Sequence, residues 1–408
     1  MRKKELGDIK KFLDDEVKLV LGRVIDIRRH LHAHPELSFQ ELETSRFIAS
    51  LLEDAGVEVK RGLATTGVVG HVRGAKSGRT IALRADMDAL PVTEVTGLSF
   101  VSRIPGVMHA CHHDGHMAML LGAAMILVRM RERLEGNVKF IFQPGEEGYA
   151  GARKMIEEGV LEDEPRIQAA FALHLDALSP SGTLSTRPGP IMACADIFSI
   201  SIIGKGGHAA MPHRSVDPIL VAGHIVTALQ SIASRKTDPV ESIVVSVCTI
   251  HAGTAMTVIP DRVEMGGTVR LFDPGLRDQI PALMEEIIRG VAAAFGASYE
   301  FNYARGYPAT INDPEFAAMV LDCGKKLLGQ QNVHTLTRPR MPSEDFSFFL
   351  EKVPGAFAIL GARPRDREPL PSHNPATTID ETALETGVKI HAAVALAYLG
   401  TVPLKGIC

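Results

Sequence analysis

The chain has 408 residues, 45% of them hydrophobic and 23% charged, and its 44 Lys and Arg against 48 Asp and Glu leave a formal charge of -4. That length is too great for one ordinary core, so two domains are expected, one of them inserted into the other. A balance so close to neutral, with no long block of Lys and Arg, argues against a nucleic-acid binder or a protein that works on an acidic membrane surface.

The first eleven residues are charged and contain no apolar run of signal-peptide length. They read as the start of an amphipathic helix leading into 17–27, and no export signal is expected. Helical periodicity covers 19–33 and 41–55, followed by a short strand at 68–72 and a continuously apolar strand at 80–85. The apolar run 117–130 is too short to cross a bilayer and is followed by charges, so 117–131 is expected as a buried helix. A buried strand at 138–142, a helix around 155–158 stopped by Gly159, and a strand at 169–173 follow. Strands that are apolar throughout and separated by helices predict a sheet covered on both faces.

Around Pro188 and Pro190 the pattern changes. A strand at 196–203 precedes a helix over 217–231, which opens with Asp217 as cap and Pro218 at the first helical position. Strands at 242–250 and 262–269, a helix over 276–295 and a strand at 298–303 complete a split βαβ order. The fold class is therefore α/β: a mixed sheet flanked by helices, interrupted by a ferredoxin-like α+β insert. The expected division is 1–183 for the first part of the main domain, 184–302 for the insert and 303–408 for the returning second part. Five scattered cysteines, Cys111, Cys194, Cys248, Cys323 and Cys408, point to a reducing cytoplasm rather than a disulfide framework.

The densest chemical signal is Met108-His109-Ala110-Cys111-His112-His113-Asp114-Gly115-His116. Thiolate, imidazole and carboxylate are the donors that zinc and similar borderline metals prefer, and a polar loop with chance histidines seldom clusters so tightly. Gln143-Pro144-Gly145-Glu146-Glu147 follows a buried strand. Adjacent carboxylates there repel unless they share a cation or a proton, and a bound metal would leave one of them free as a general base. Alone, the pair is a weak signal and reads more readily as an exposed acidic turn. Asp86 and His174 each end an apolar strand, and such strand ends lie along one edge of an open α/β sheet, where ligands bind. His373, in the proline-rich run Ser372-His373-Asn374-Pro375, reads by itself as a surface histidine. Gly204-Lys205-Gly206-Gly207-His208, in the insert, fits either a close backbone approach to a ligand or a simple hairpin.

Together with Arg29-His30-Leu31-His32-Ala33-His34-Pro35-Glu36-Leu37-Ser38, Leu83-Arg84-Ala85-Asp86-Met87-Asp88-Ala89-Leu90-Pro91, Gly207 to His213 and Met341-Pro342-Ser343-Glu344-Asp345-Phe346, these blocks carry a resemblance over nearly the whole chain. The sequence resembles the aminoacylase and carboxypeptidase family of two-metal amidohydrolases, in the branch of hippurate and auxin-conjugate hydrolases. The resemblance implies an exopeptidase-like catalytic domain with an inserted lid and dimerisation domain. It implies two divalent ions per subunit, zinc first, with manganese, cobalt or nickel as alternatives, held by Cys111, His113, Glu147, His174 and His373, one thiolate or carboxylate serving both. Glu146 takes the place of the general base, Asp86 of a supporting carboxylate, and His208 of the group that stabilises the oxyanion, reaching the site from the neighbouring subunit. Two positions depart from the pattern: His112 stands where the family has glycine, and Thr257 where it has asparagine.

The implied reaction is hydrolysis of the amide bond of N-acyl amino acids (N-acetyl, N-benzoyl or similar) by a cytoplasmic homodimer or higher homo-oligomer. Arg270 is a candidate partner for the substrate carboxylate. Three alternatives stand beside it: a metallo-dipeptidase or aminopeptidase, a Cys111 thiol hydrolase, and a non-catalytic metal-binding paralogue.

Overall fold

The computed structural model describes residues 2–401, with side chains from Lys10 onward; Met1 and 402–408, including Cys408, lie outside the described residues. Contacts divide the chain into two compact units. The first contains the chain up to Ile191, Ile311–Arg338 and the chain from Asp345 onward; the second is Met192–Thr310 with Pro339–Glu344.

Among the described residues, the first unit is built on an eight-stranded mixed sheet. Its order is Glu58–Leu63, Gly67–Arg73, Gly136–Gln143, Arg79–Asp86, Ala169–Asp176, Gly355–Gly361, Leu184–Thr186 and Val333–Thr335. The four strands from Gly136–Gln143 to Gly355–Gly361 are parallel to their neighbours within that group, while the first two strands join antiparallel. Parallel strands are stable only when both faces are covered, and the central ones are accordingly buried almost throughout.

Helices Arg2–Ala33, His113–Arg129 and Thr382–Leu399 pack on one another, and the last two also pack on the sheet. The helix His113–Arg129 is buried at every position from His113 to Val128, the signature of a helix enclosed on all sides. Its close approach depends on Gly122, where a Cβ would lie 2.7 Å from methyl groups of both Val24 and Val388. The helix begins at His113 rather than near 117, because His112 in a left-handed conformation starts it directly from the histidine loop. No described helix is long and apolar enough to cross a membrane.

The second unit has a four-stranded antiparallel sheet in the order Ile243–Ala252, Arg262–Leu271, Ala195–Ile203, Ser298–Tyr307, with helices Pro218–Leu229 and Pro274–Phe295. This is the ferredoxin-like arrangement. Asp217 caps its helix by accepting from the amides of Ile219 and Leu220. Its ends differ from 184–302: Leu184–Thr186 pairs with Gly355–Gly361 in the large sheet, and Ser298–Tyr307 stays in the small sheet over its whole length. Buried Asp196 ties this sheet to its helix, receiving Arg277 at 2.5 and 3.0 Å, the Tyr303 hydroxyl at 2.8 Å and the Gly306 amide at 3.0 Å.

Candidate metal centre

Parallel register sets Asp86 opposite Gln143, Leu83 opposite Phe171 and Ile359 opposite His174. The carboxyl ends of these strands therefore share an edge, from which Asp86, the Glu146–Glu147 turn and His174 project. His174 sits two residues inside its strand rather than at the end, since the pairing with Gly355–Gly361 continues to Asp176. Gly145, at φ +62, turns the chain off its strand toward the two glutamates.

Three donor sets converge here: Cys111 with His113 and His174, Cys111 with Glu147 and His373, and His113 with Glu146 and Glu147. Within each set the candidate ligand atoms all lie within 4.8 Å of one another. Cys111 belongs to two of them. The histidines are aimed by their other ring nitrogens. His174 Nδ1 donates to the Leu175 carbonyl at 2.7 Å, leaving Nε2 3.5 Å from the Cys111 sulfur. His113 Nδ1 donates to the Asp88 carbonyl at 2.8 Å, leaving Nε2 toward the site. A backbone carbonyl on one imidazole nitrogen fixes the tautomer that offers the other as a ligand.

His113 Nε2 and Glu147 Oε1 are buried and have no hydrogen-bond partner among the described residues. They lie 3.9 Å apart, and His373 Nε2 is 3.4 Å from the same Glu147 oxygen. Orphaned buried polar atoms are costly, and two of them facing each other call for something between. The electrostatics agree. Burial alone would raise the Cys111 pKa, but the adjacent His113 and His174 imidazoles outweigh it and hold the thiol well below its usual range. Burial and then the Cys111 charge push Glu147 up, while contacts to Cys111 and Glu147 raise His373. Two anions pressed together and drawing protons onto nearby histidines are a donor set that divalent cations fit.

Asp86 and His116 form a supporting layer. His116 Nδ1 meets Asp86 Oδ1 at 2.6 Å, and its Nε2 accepts the Leu175 amide at 2.8 Å. Both nitrogens of His116 are thereby committed, so although it lies within 4.8 Å ligand spacing of Asp86 and His113, it has no lone pair left for a metal. Asp86 also receives Arg84 Nη1 at 2.8 Å, and Arg84 continues to Asp345 at 2.7 Å. The Asp345 amide in turn reaches Glu146 Oε1 at 3.3 Å. Asp114, beside His113, is fully buried against Arg28 at 2.8 Å and His32 at 2.9 Å. His109, also in this loop, is buried with neither ring nitrogen partnered among the described residues, and burial lowers its pKa to about 4.

Asp88 is the residue that sequence reasoning passed over. Its carboxylate accepts the Glu146 amide at 3.0 Å, the Glu147 amide at 2.9 Å and the Ser38 hydroxyl at 2.7 Å, while its carbonyl holds His113. One side chain thus fixes the backbone of two of the site residues, and its main chain aims a third. The only signal in the sequence is a second carboxylate two residues after Asp86.

His208 lies in the second unit, exposed, on the short strand Gly207–His208 paired with Val258–Ile259. Its Nδ1 accepts the Ala210 amide at 3.0 Å, which leaves the proton on Nε2. Thr257 is exposed in the same unit, and its carbonyl accepts the Ala209 amide at 3.0 Å. Arg270 donates to the Val269 carbonyl at 3.2 Å. His112 is buried at φ +66, a region histidine tolerates better than most residues and glycine tolerates freely.

A family model described as peptidase family M20/M25/M40 matches residues 82–397. The chain is 41% identical over 396 residues to thermostable carboxypeptidase 1 of Saccharolobus solfataricus, covering 96% of this chain and 99% of that protein. It is 43% identical over 381 residues to the N-acetylcysteine deacetylase of Bacillus subtilis, covering 93% and 98%. The crystal structure of a dinuclear metal-binding M20-family peptidase from Bacillus subtilis matches with a TM-score of 0.82 at 39% identity, covering 94% of this chain and 100% of that one.

Proposed function

The chain belongs to peptidase family M20/M25/M40 and is a metal-dependent amidohydrolase; from that premise we propose how its residues divide the hydrolysis of N-acyl amino acids at the amide bond. The observation that carries the assignment is the pair of donor sets that share the Cys111 sulfur. We assign Cys111, His113, Glu147, His174 and His373 as holders of two divalent ions, with zinc ahead of manganese, cobalt and nickel on the strength of the sulfur and nitrogen donors. When bound, such ions polarise the scissile carbonyl and lower the pKa of water.

Glu146 is assigned as general base. It takes a proton from the attacking water and returns it to the departing amine nitrogen, so that a carboxylic acid and a free amino acid leave. Its fixed backbone, clamped by Asp88, supports that role, because a base must be held within hydrogen-bond reach of its proton. Asp86 keeps the histidine layer oriented. His208 is assigned as donor to the oxyanion; a proton held on Nε2 by the Ala210 amide suits it for that task. The second unit is assigned as a dimerisation surface. Its edge strand Ile243–Ala252 carries exposed Val244 and Ile250, with Met256 and Val258 exposed close by in sequence, an unpaired apolar edge that a second copy would cover. Among the described residues Cys111, Cys194, Cys248 and Cys323 are free thiols, which supports a reducing cytoplasm.

The test is amino-acid release from N-acetyl and N-benzoyl amino acids and from dipeptides with free or blocked amino termini. Each is run as purified, with chelator, and after return of zinc, manganese or cobalt. Release from the N-acyl substrates that chelator abolishes and metal restores is the expected result. Release confined to dipeptides with a free amino terminus would replace the reading with a dipeptidase. Activity that survives chelator but not thiol alkylation would replace it with a Cys111 hydrolase.

A further inference from the structure

We propose that His112 is a strap that ties the loop carrying His373 to the loop carrying Cys111 and His113, so that the two loops hold metal as one piece. The inference rests on the metal reading above and adds a positioning residue to it.

His373 is the outlier of the donor set. Its side chain is 56% exposed, whereas that of His113 is 1% exposed. Packing therefore does little to aim it, and its position depends on the loop around it. That loop is compact: the Thr377 amide donates to the Asn374 carbonyl at 3.0 Å, and the Thr377 hydroxyl donates to the Leu370 carbonyl at 3.1 Å. Besides the approach of the His373 ring to Cys111, it meets the histidine loop through two hydrogen-bonding contacts. The His373 amide donates to the Ala110 carbonyl at 2.8 Å, and the buried His112 ring places Nε2 3.3 Å from the Thr377 hydroxyl.

The hydroxyl proton of Thr377 is committed to Leu370, so its oxygen accepts and His112 donates from Nε2. The backbone of His112 is left-handed, as is that of His373 at φ +70. A histidine held in a sparsely populated conformation, buried, and not used to cap the helix that it begins has one evident polar task here, which is the contact to Thr377. Removing it leaves the His373 amide's hydrogen bond between the two loops, beside the His373 ring's approach to Cys111, and contacts of this kind behind a ligand typically alter metal affinity by about 10–100-fold.

The experiment uses full-length protein loaded with zinc and dialysed against chelator, with zinc per chain followed over time. Wild type, His112→Gly, Thr377→Val, the double variant and Thr377→Ser are compared. Glycine adopts the left-handed backbone without strain, so His112→Gly tests the side chain alone. The expected result is that His112→Gly and Thr377→Val each release one of two ions roughly 10-fold faster than wild type. The double variant should be no faster than the faster single one, and Thr377→Ser should behave as wild type. Wild-type release rates in both single variants would overturn the strap, as would two effects that multiply in the double variant. If His112→Gly fails to fold, the Thr377→Val and Thr377→Ser comparison decides. A wild-type protein that retains no zinc would overturn the metal reading and the strap together; two zinc ions with unaltered variants would overturn the strap alone.

Discussion

Replacing Asp88 with asparagine isolates one positioning carboxylate without changing its shape. In the native protein Oδ1 accepts the Glu146 amide, and Oδ2 accepts the Glu147 amide and the Ser38 hydroxyl. An asparagine offers one oxygen and one NH2, so whichever way it is turned an NH2 faces a backbone N–H. A buried donor left without an acceptor costs about 1–3 kcal/mol, and the surviving bonds lose the help of the charge. The loop relieves this by moving, and it carries the proposed base. At about 1.4 kcal/mol per tenfold in rate, the expected loss is roughly 10–100-fold in kcat. KM should change little, because Asp88 is assigned no contact with substrate. The assay is steady-state release from an N-acyl amino acid by protein verified to hold two ions per chain, with Ser38→Ala as a milder comparison that removes one neutral donor. Wild-type kcat in a fully metal-loaded Asp88→Asn protein would refute the clamp.

Glu146→Gln should keep both ions and the fold while kcat drops by about 10²–10⁴-fold, read from metal analysis beside turnover. His391 is fully buried, edge-on to Phe171, with neither nitrogen partnered among the described residues, and burial lowers its pKa to about 3. The unfolded chain therefore binds its proton near pH 6.5 and the folded chain only near pH 3, so stability falls as pH drops through that window. Between pH 7 and pH 5 this one site should account for about 2 kcal/mol, and His391→Leu should remove that part of the acid sensitivity in urea unfolding at the two pH values. Asp196→Ala strips half-buried Arg277 of its carboxylate, leaving it the Gly306 carbonyl, and leaves Tyr303 and the Gly306 amide without this acceptor; denaturant unfolding should show a loss of about 2–4 kcal/mol.

Features encoded locally were legible in the sequence. Apolar runs marked the strands Arg79–Asp86 and Gly136–Gln143, the Asp217-Pro218 pair marked a helix start, and the clustered histidines marked the loop before His113. Features that depend on distant partners were not legible. Asp88 gains its role from amides 58 and 59 residues away, and nothing near it in sequence announces them. His116 looks as good a ligand as His113 until the Leu175 amide is found on its second nitrogen. The stretch 303–408 was expected only as a return to the main domain, yet it supplies the strands Val333–Thr335 and Gly355–Gly361 and the helices Pro314–Leu328 and Thr382–Leu399. Of these, Pro314–Leu328 opens on an Asp-Pro pair like that at Asp217 and was open to the same reading. Gly355–Gly361 is a short, wholly buried strand without alternation, and that pattern alone does not separate strand from helix.

The place of Gly355–Gly361 in the sheet has a consequence for how the chain is made. Ala169–Asp176 can pair with Arg79–Asp86 as soon as it has been synthesised, but its other neighbour lies beyond the whole second unit. At roughly 5–20 residues per second, the ribosome leaves that apolar strand with an open edge for on the order of ten to forty seconds. An open edge of this kind is a template for pairing with another chain. During that interval the nascent protein is exposed to self-association in a way that the finished one is not, and a chain that terminates before residue 355 would remain in that state.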